Sequence, residues 1–557
     1  MRLALAQMNS VVGDLDGNRD RIVARIGEAR DAQADLVLVP ELAVTGYPPE
    51  DLLLRPGFVR AAGQIVEELA AATEGIVALV GGPHLDGGLY NACYVLADRA
   101  VRSVYHKQLL PNYGVFDEER YFAAGDELLL LRFGDTLVGT TVCEDIWQPG
   151  PPASELAQAG AHILANISAS PFHVGKDRER EEMLQERARD NACFVAYCNA
   201  VGGQDELVFD GRSVVIDDEG RVIARAPGFE EALLVVDLDP VATVGRRLRV
   251  AAPELELRRP REQSGPAAIT TAPFEDDLEQ MRRALELGLR DYIGKNGFGD
   301  VVVGLSGGID SALTAALAVE ALGAEHVHGV SMPSRYSSEG TRRDARRVGE
   351  SLGIDFRELE IELVVEAFTH TLAPSFDGAP VDLTEENLQA RVRGTLLMAL
   401  ANKFGWILIA TGNKSELSVG YSTLYGDLAG GFALLKDVYK TDVFRLARRL
   451  NERAGRELIP VSTIERAPSA ELRHDQLDEH SLPPYAELDE VLEAYVELDR
   501  SHEELVRDGF DRDVVGRALA MIDRAEYKRR QAPPGVKLHP KAFGRDRRTP
   551  ITNRWPG

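Results

Sequence analysis

Three observations predict that this sequence of 557 residues folds as two α/β domains. The chain is longer than a single hydrophobic core supports. Short apolar segments of strand character alternate with helical segments along both halves. Between the halves, residues 246–272 carry repeated prolines and lose strand periodicity, which is typical of a linker. We therefore expect an N-terminal domain over residues 1–245 and a C-terminal domain over residues 273–557 that ends in a basic segment.

The N-terminal half shows the alternation of strands and helices that predicts a layered domain. Apolar residues spaced three or four apart indicate helices at residues 18–32 and 177–191. Runs of apolar and β-branched residues indicate the strands. The expected strands are residues 3–7, 36–41, 76–80, 91–96, 137–142, 162–166, 194–199 and 213–217.

The C-terminal half has the pattern of a doubly wound parallel sheet. A helix over residues 275–295 precedes a short buried strand at residues 301–303. Right-handed crossovers bring the carboxyl ends of such strands to one edge of the sheet, where these folds bind ligands. The further expected strands are residues 326–331, 355–359 and 406–410, and the helices between them are residues 341–352 and 384–404.

A glycine-rich loop, Gly304-Leu-Ser-Gly-Gly-Ile-Asp-Ser311, joins the strand at 301–303 to the next helix. Such a loop directs backbone N–H groups and a helix dipole at one point, which suits an anion. It lacks the lysine of a nucleotide triphosphatase loop, so a pyrophosphate is favoured over a γ-phosphate. Asp310 would repel a phosphate directly but can hold Mg²⁺. The alternative is an ordinary glycine turn of an α/β fold.

Two further residues follow the same predicted sheet edge. Glu416 lies just after the strand at 406–410, where it could converge with Asp310 on one ion. The alternative for Glu416 is an acid in the first turn of a helix. Lys436 follows a glycine-rich loop that could close over a site, with an ordinary solvated lysine as the alternative.

Three residues of the N-terminal half could form a nucleophilic site. Cys143 lies at a strand-to-turn junction, Glu41 ends a strand, and Lys107 lies in the string Tyr105-His-Lys-Gln-Leu-Leu-Pro111. A base and a cation near a thiol can transfer its proton and lower its pKa. Taken singly, such a cysteine is more often a small buried hydrophobe, and such a glutamate or lysine is more often solvated.

Composition excludes several classes of function. The formal net charge of −26 argues against nucleic acid or an anionic membrane as the main partner. The four cysteines form no C-x-x-C pair, so neither a disulfide framework nor a zinc site is indicated, and a reducing cytoplasm fits. The chain starts like a strand rather than a signal peptide, and no apolar run reaches the roughly 20 residues of a membrane helix.

Three strings of the N-terminal half resemble the motifs of the nitrilase-type amidases: Val39-Pro-Glu-Leu42, His106-Lys-Gln-Leu-Leu-Pro111 and Val142-Cys-Glu-Asp-Ile-Trp147. The resemblance implies an αββα sandwich. It also implies Cys143 as nucleophile, Glu41 as general base and Lys107 as the cation that stabilises the oxyanion.

The same resemblance implies four more site residues. Glu118 matches an additional glutamate near the site, with Glu119 as the alternative. Residues Tyr113, Ser170 and Lys176 match positions that bind glutamine in the glutamine-using branch.

The C-terminal half resembles the ATP pyrophosphatases through its glycine loop, and more closely the synthetase domain of the glutamine-dependent NAD synthetases. The second resemblance rests on residues 386–393, 410–427, 435–441 and 527–531. One departure is Leu434, where many members have proline. Together the two resemblances cover nearly the whole chain, and they imply a Rossmann-like ATP pyrophosphatase domain after the sandwich.

The resemblance implies three groups of binding residues. For ATP these are Gly304, Leu305, Ser306, Gly307, Gly308, Ile309, Asp310, Ser311, Thr411 and Lys436. For Mg²⁺ they are Asp310 and Glu416. For deamido-NAD they are Asn387, Arg391, Glu416, Tyr421, Ser422, Thr423, Leu424, Asp427 and Lys528.

The implied activity is a carbon–nitrogen ligase that takes its nitrogen from glutamine. It would release ammonia at Cys143, adenylate deamido-NAD with ATP, and amidate it to NAD⁺. The resemblance also implies a homo-oligomer, a dimer or an octamer. The alternatives are a glutamine amidotransferase with another acceptor, and a non-catalytic nucleotide-binding protein that kept both folds.

Overall fold

The computed structural model describes residues 1–240, 250–258 and 265–555. The chain divides into two compact units, Met1–Glu275 and Asp276–Gly557. In the part of the chain so described, none of the helices has the length and apolar character needed to cross a bilayer.

The first unit contains two large sheets and a hairpin. Its strands are β1 (Arg2–Gln7), β2 (Leu36–Leu38), β3 (Val77–Leu85), β4 (Leu89–Ala97), β5 (Ala100–His106), β6 (Leu130–Phe133), β7 (Thr136–Val142), β8 (Ile163–Ser168), β9 (Phe194–Asn199), β10 (Val201–Gln204), β11 (Leu207–Asp210), β12 (Val214–Ile216), β13 (Val222–Arg225), β14 (Ala232–Asp237) and β15 (Glu254–Leu257). Its helices are α1 (Leu15–Asp31), α2 (Pro56–Ala70), α3 (Glu144–Trp147), α4 (Ala153–Gln158) and α5 (Lys176–Asn191). The sheet orders are β14-β1-β2-β3-β4-β5 and β13-β12-β9-β8-β7-β6-β15, and β10 pairs with β11.

Alternating side chains build the layers of this unit. Leu3 and Leu5 of β1 belong to the core between the two sheets. Ala4 and Ala6 face the other way, into the core under α1 and α2, because successive residues of a strand point to opposite faces. Helices α4 and α5 contribute to a third core on the second sheet. The order helix, sheet, sheet, helix confirms the predicted αββα sandwich.

The described part of the predicted linker is attached to the first unit. Strand β15 pairs in parallel with β6 at the edge of the second sheet. Ala267 N–H donates to Asp237 Oδ2 (2.7 Å), and Arg225 N–H donates to the Thr270 carbonyl (2.9 Å). The alternating Glu-Leu-Glu-Leu sequence of β15 suits a half-exposed edge strand. Residues 246–249 and 259–264 of the predicted linker lie outside the described residues.

The second unit is a parallel sheet with helices. Its strands are β16 (Val301–Gly304), β17 (Val327–Ser331), β18 (Asp355–Glu358), β19 (Ile407–Ala410) and β20 (Phe432–Ala433). Its helices are α6 (Asp277–Lys295), α7 (Ile309–Leu322), α8 (Glu339–Leu352), α9 (Glu362–Phe376), α10 (Leu383–Phe404), α11 (Lys414–Val419), α12 (Lys440–Ala454), α13 (Val461–Glu465), α14 (Tyr485–Leu492), α15 (His502–Arg507), α16 (Arg512–Arg524) and α17 (Glu526–Arg529), with a π-helical turn at Glu493–Glu497.

The strand order of this sheet positions the predicted nucleotide site. The order is β18-β17-β16-β19-β20, and each neighbouring pair is parallel. The chain therefore winds outward from β16 in one direction and then returns to β19 on its other side. The loops that follow β16 and β19 meet at this switch point, which is where a doubly wound sheet opens a ligand crevice. The predicted doubly wound sheet is confirmed.

Candidate active sites

The first site lies at the ends of three strands from both sheets of the sandwich. Glu41 follows β2, Lys107 follows β5 and Cys143 follows β7. All three side chains are buried. Because β2 and β5 belong to one sheet and β7 to the other, the sandwich brings a carboxylate, an ammonium and a thiol from distant parts of the chain into one interior site.

The Lys107 ammonium lies between two carboxylates. Its Nζ donates to Glu41 Oε1 (2.7 Å) and to both oxygens of Glu118 (2.9 and 2.8 Å). Burial alone would lower the pKa of Lys107, but the charges of Glu118 and Glu41 raise it well above its ordinary value. Lys107 is therefore a fixed positive charge.

Glu118 is held in the site, whereas the neighbouring Glu119 is exposed. Its carboxylate accepts hydrogen bonds from the Tyr47 hydroxyl (3.1 Å) and Asn91 Nδ2 (3.3 Å) as well as from Lys107. Burial raises the pKa of Glu118 to about 7, and the Lys107 charge opposes that rise. Of the two adjacent glutamates, Glu118 is thus the one whose charge acts on Lys107.

Glu41 has its orientation fixed by three donors. Oε1 accepts from Lys107 and from Asn91 Nδ2 (2.8 Å), and Oε2 accepts from Ala169 N–H (2.9 Å). Asn91 therefore donates to both glutamates of the site. Sequence analysis did not identify Asn91 or Tyr47; the only available signal was a polar residue at the start of the predicted buried strand at 91–96.

Cys143 has a backbone conformation that few residues adopt. Its φ is +44°, in the left-handed region, and α3 begins at the next residue. Its N–H donates to the Ile167 carbonyl (2.9 Å), and its carbonyl accepts from Asn166 Nδ2 (3.3 Å). Burial and the Glu41 charge raise the pKa of Cys143 well above its ordinary value, against the opposing effect of Lys107. The thiol is therefore protonated at neutral pH and requires a base to react.

The three predicted glutamine-binding residues lie on segments around α3 and β8. The Tyr113 hydroxyl donates to Glu144 (3.0 Å). Lys176 Nζ lies 4.1 Å from the Trp147 ring centroid. Ser170 is buried just after β8. Tyr113 is 57% exposed, so it lies at the rim of the site and not in its interior.

The second site begins with the glycine loop after β16. Gly307 has φ = +84°, and a Cβ there would lie 2.2 Å from the Thr341 carbonyl oxygen, so only glycine fits. The Ser306 and Ser311 hydroxyls are 3.2 Å apart, and Ser306 Oγ accepts from Gly308 N–H (3.2 Å). The loop therefore passes directly into the N-terminus of α7 with its turn fixed by its own side chains.

Asp310 and Glu416 converge on one cation. Lys440 Nζ donates to Asp310 Oδ2 (2.6 Å) and to Glu416 Oε1 (2.9 Å), and Asn413 Nδ2 donates to Asp310 Oδ1 (2.7 Å). Burial raises the pKa of Glu416 to about 7, partly offset by Lys440. Two carboxylates that share one positive centre, next to the glycine loop, are a donor set that fits Mg²⁺. Sequence analysis quoted Lys440 within a matching string but assigned it no role.

A pocket opens where the loops after β16 and β19 meet. The predicted residues that line it are 304–311, Thr411, Glu416, Tyr421, Thr423 and Asp427. The predicted residues outside this lining are Asn387, Arg391, Ser422, Leu424, Lys436 and Lys528.

Some of the residues outside the lining contact the segment 420–424, which includes the lining residues Tyr421 and Thr423. Asn387 Oδ1 accepts from Thr423 Oγ1 (2.8 Å). Lys528 Nζ donates to the carbonyls of Gly420 and Ser422 (2.7 and 2.6 Å). The predicted dinucleotide residues thus form one connected segment beside the pocket.

The remaining predicted residues extend that segment. Arg391 Nε donates to the Leu424 carbonyl (3.2 Å), and Asp427 Oδ1 accepts from Thr423 N–H (2.6 Å). Lys436 lies in the turn between β20 and α12.

Residues 465–490 are largely exposed, and α14 begins within this segment at Tyr485, but part of the segment also belongs to the site. Arg466 pairs with the buried Asp344 and donates to the Gly307 carbonyl (3.1 Å). Asp478 is buried and accepts from the hydroxyls of Tyr421 (3.1 Å) and Tyr485 (3.0 Å). Residues of this region line the pocket. Tyrosine hydroxyls thus satisfy the buried Asp478 carboxylate.

Comparison with known proteins gives matches over both halves. The NAD synthase family model matches residues 281–532, and the carbon-nitrogen hydrolase family model matches residues 2–247. A glutamine-dependent NAD(+) synthetase of Thermotoga maritima is 48% identical over 100% of this chain and 99% of that relative. One of Aquifex aeolicus is 43% identical over 100% of both chains. The solved glutamine-dependent NAD+ synthetase from Acinetobacter baumannii in complex with ADP is 40% identical, with a TM-score of 0.77, and the match covers 99% of this chain and 98% of that one.

Proposed function

The chain belongs to the glutamine-dependent NAD(+) synthetases, and on that premise we propose how its two sites divide the reaction. The first unit hydrolyses glutamine to glutamate and ammonia. The second unit uses ATP to adenylate the nicotinate carboxylate of deamido-NAD, releases pyrophosphate, and forms NAD⁺ and AMP with the ammonia. The observation that carries the proposal is that one chain holds both a thiol with its carboxylate and ammonium partners and a phosphate loop with two converging carboxylates.

Glutamine hydrolysis begins with the proton of Cys143. Glu41 accepts this proton, and the thiolate attacks the side-chain amide carbon of glutamine. Lys107 stabilises the oxygen that becomes negative. The proton held by Glu41 then leaves with the amine as ammonia, and a thioester remains. Water, deprotonated by Glu41, releases glutamate and restores the thiol.

Tyr113, Ser170 and Lys176 bind the glutamine in this proposal. Glu118 does not exchange a proton with substrate. It neutralises Lys107 together with Glu41, which keeps the ammonium in place while Glu41 changes its protonation state.

Synthesis in the second unit begins with the carboxylate of deamido-NAD, which is a poor electrophile. Attack of this carboxylate on the α-phosphorus of ATP expels pyrophosphate, and the glycine loop, Thr411 and Lys436 hold the phosphates and the nucleotide. Ammonia then attacks the acyl carbon and displaces AMP. Asp310 and Glu416 would hold Mg²⁺, which supplies charge neutralisation to the phosphates when it is bound.

The residues assigned to deamido-NAD form the segment beside the pocket described above. They supply hydroxyl, amide and charged groups suited to a dinucleotide, together with one apolar side chain, and Glu416 borders both substrates in this proposal. These residues are Asn387, Arg391, Tyr421, Ser422, Thr423, Leu424, Asp427 and Lys528. The four cysteines are buried and form no disulfide with one another, in keeping with a cytoplasmic location.

The enzyme works as a homo-oligomer in this proposal, and a face of the second unit supports it. Helix α9 has no buried residue although its sequence is rich in apolar residues. Leu363 is 80% exposed and Phe368 is 45% exposed, and Leu383 at the start of α10 is 67% exposed. Exposed apolar faces of this kind are typical of subunit interfaces. A Leu363→Glu, Phe368→Glu double variant should reduce the mass measured by light scattering; an unchanged mass would contradict this assignment.

The decisive test is NAD⁺ formation from deamido-NAD and Mg·ATP, with either glutamine or ammonium as the nitrogen source. Activity with both is expected. A Cys143→Ala variant should lose the glutamine-driven activity and keep the ammonium-driven activity. Loss of both in that variant would contradict two separable sites, and pyrophosphate release only with another acceptor would replace deamido-NAD as the substrate.

A further inference from the structure

Asp145 is a fully buried carboxylate in the first unit that the reaction above does not use. It lies two residues after Cys143, in the short helix α3. Both of its oxygens are occupied by protein donors. Oδ1 accepts from the backbone N–H groups of Gln108 (3.1 Å) and Leu109 (2.9 Å). Oδ2 accepts from Val142 N–H (3.0 Å) and from the Tyr105 hydroxyl (2.8 Å).

These donors belong to the two segments that carry the reactive groups. Gln108 and Leu109 follow Lys107 immediately, at the end of β5 in the first sheet. Val142 precedes Cys143 immediately, at the end of β7 in the second sheet. One carboxylate therefore joins the backbone beside the ammonium to the backbone beside the thiol, across the two sheets.

The backbone N–H groups of Lys107 and Cys143 themselves do not make that connection. Lys107 N–H donates to the Asn91 carbonyl (2.8 Å), within the first sheet, and Cys143 N–H donates to the Ile167 carbonyl (2.9 Å), within the second. Each of these bonds fixes a segment to its own sheet. The Asp145 carboxylate instead fixes one segment relative to the other.

We propose that Asp145 is a positioning residue for glutamine hydrolysis, which sets the place of the Lys107 ammonium relative to the Cys143 sulfur. The proposal rests on the assignment of Cys143 and Lys107 to that reaction. Stabilisation of an oxyanion depends on the distance between donor and oxygen, and a misplacement of about 1 Å can cost roughly 100-fold in rate.

The chemistry of the four donors requires a carboxylate. Each donor needs an acceptor, and an ionised carboxylate only accepts. An asparagine at 145 would present one amide NH₂ group to a pair of these donors. If it faced Gln108 and Leu109, two backbone N–H groups would lose their acceptor. If it faced the other pair, the Tyr105 hydroxyl could rotate to accept, but Val142 N–H would be left unpaired. Either outcome detaches the backbone beside one of the two reactive groups.

Asp145→Asn should therefore act on the chemical step of one half-reaction. With glutamine, kcat for NAD⁺ formation is expected to fall about 100-fold while KM for glutamine changes less than about threefold. With ammonium, kcat should be unchanged. Tyr105→Phe is the matched control, because it removes one donor to the same carboxylate and leaves all three backbone bonds; we expect it to keep glutamine-driven kcat within about fivefold.

A second variant keeps the test valid if asparagine prevents folding. Asp145→Glu retains the four acceptor sites but moves them by one methylene. It is expected to retain ammonium-driven activity and to lose about 10-fold in glutamine-driven kcat.

Three results would overturn the inference: glutamine-driven kcat of Asp145→Asn within threefold of the parent enzyme, a rise in KM without a fall in kcat, or full activity of Asp145→Glu where asparagine does not fold. Failure of the parent enzyme itself to use glutamine would instead contradict the proposed function, so the two failures are distinguishable.

Discussion

The two sites share one arrangement at the level of single residues. In each, a buried lysine lies between two carboxylates: Lys107 between Glu41 and Glu118, and Lys440 between Asp310 and Glu416. A buried carboxylate pair without a counter-charge is costly, and burial raises the pKa of Glu118 and of Glu416, whereas the neighbouring ammonium opposes that rise at each site. The lysine at the first site is the oxyanion-stabilising cation of our proposal, whereas the lysine at the second occupies the centre that the carboxylates would offer to a metal.

The contrast between adjacent glutamates gives the first prediction. Glu118→Gln removes the charge of one Lys107 partner and turns an NH₂ group toward the ammonium, so glutamine-driven kcat should fall about 100-fold with ammonium-driven kcat unchanged. Steady-state kinetics with each nitrogen source measures this. Glu119→Gln is the matched control, since that side chain is exposed, and equal effects of the two variants would contradict the role given to Glu118.

The Lys440 contacts give the second prediction. Lys440→Met leaves Asp310 and Glu416 without their shared cation and should destabilise the metal-free protein by about 3 kcal/mol. Thermal unfolding in the presence of a chelator should show this loss of stability as a lower melting temperature. Millimolar Mg²⁺ should restore part of the lost stability if the carboxylate pair binds the ion. Lys440→Arg, which keeps the positive charge, should lose less stability than Lys440→Met. A melting temperature of Lys440→Met equal to that of the parent would show that the pair does not need the ammonium.

At the level of elements, the sequence alone predicts the strands, helices and turns wherever a local residue pattern determines the local structure. Val301 to Val303 and the glycines after them predict a strand and turn, and both are present. The partners of a side chain were not predictable in the same way. Glu118 could not be separated from Glu119, because the direction of each depends on a single turn of 3-10 helix at Glu118–Arg120. The contact of Lys440 with Asp310 was not predicted, because the two residues are far apart in the sequence and only the strand order of the sheet brings α12 close to Asp310.

Gly307 gives the third prediction, at the scale of the loop that it shapes. Gly307→Ala places a Cβ 2.2 Å from the Thr341 carbonyl at φ = +84°, and should destabilise the protein by about 1–3 kcal/mol and abolish synthesis with both nitrogen sources. Gly308→Ala is the control for stability. The φ of Gly308 is −85°, and the atom nearest to an added Cβ is the Ser306 hydroxyl at 3.3 Å. The free energy of unfolding should therefore change by less than about 1 kcal/mol. Equal melting temperatures of the two variants would contradict the conformational argument.

At the scale of the whole molecule, a third buried ionic cluster attaches the backbone at Leu538 and His539 to the second unit. Lys414 Nζ lies 2.8 Å from Asp437 Oδ1 and 2.9 Å from Glu497 Oε1. Asp437 Oδ2 also accepts the backbone N–H groups of Leu538 (2.7 Å) and His539 (2.8 Å). The C-terminal basic segment is therefore attached to the turn that carries Lys436, and it contributes to the stability of the second unit.

This cluster gives the fourth prediction, which concerns pH. Burial alone would raise the pKa of Asp437, but Lys414 and His539 lower it well below its ordinary value of 3.8. A carboxylate with a depressed folded-state pKa stabilises the protein above its unfolded-state pKa, and this stabilisation is lost as pH falls below that value. The free energy of unfolding of Asp437→Asn should thus be about 3–5 kcal/mol lower than that of the parent protein at pH 7 and at pH 5. Below about pH 4 the difference between the two proteins should be smaller.

Urea denaturation across this pH range measures the difference from the parent protein. Glu490→Gln, at an exposed position of α14, is the control for loss of one negative charge and should change the free energy of unfolding by less than about 0.5 kcal/mol. A deficit of Asp437→Asn that grows as the solution becomes more acidic would have the wrong sign and would contradict the ionic account.

The raised pKa of Cys143 also bears on how the enzyme survives between turnovers. Peroxides oxidise cysteine through its thiolate, and a sulfur that stays protonated in a closed interior reacts with them slowly. The burial that makes the proposed nucleophile dependent on Glu41 therefore also slows its reaction with oxidants. An idle enzyme molecule is in this way protected from the oxidative damage that an always-ionised catalytic cysteine would accumulate.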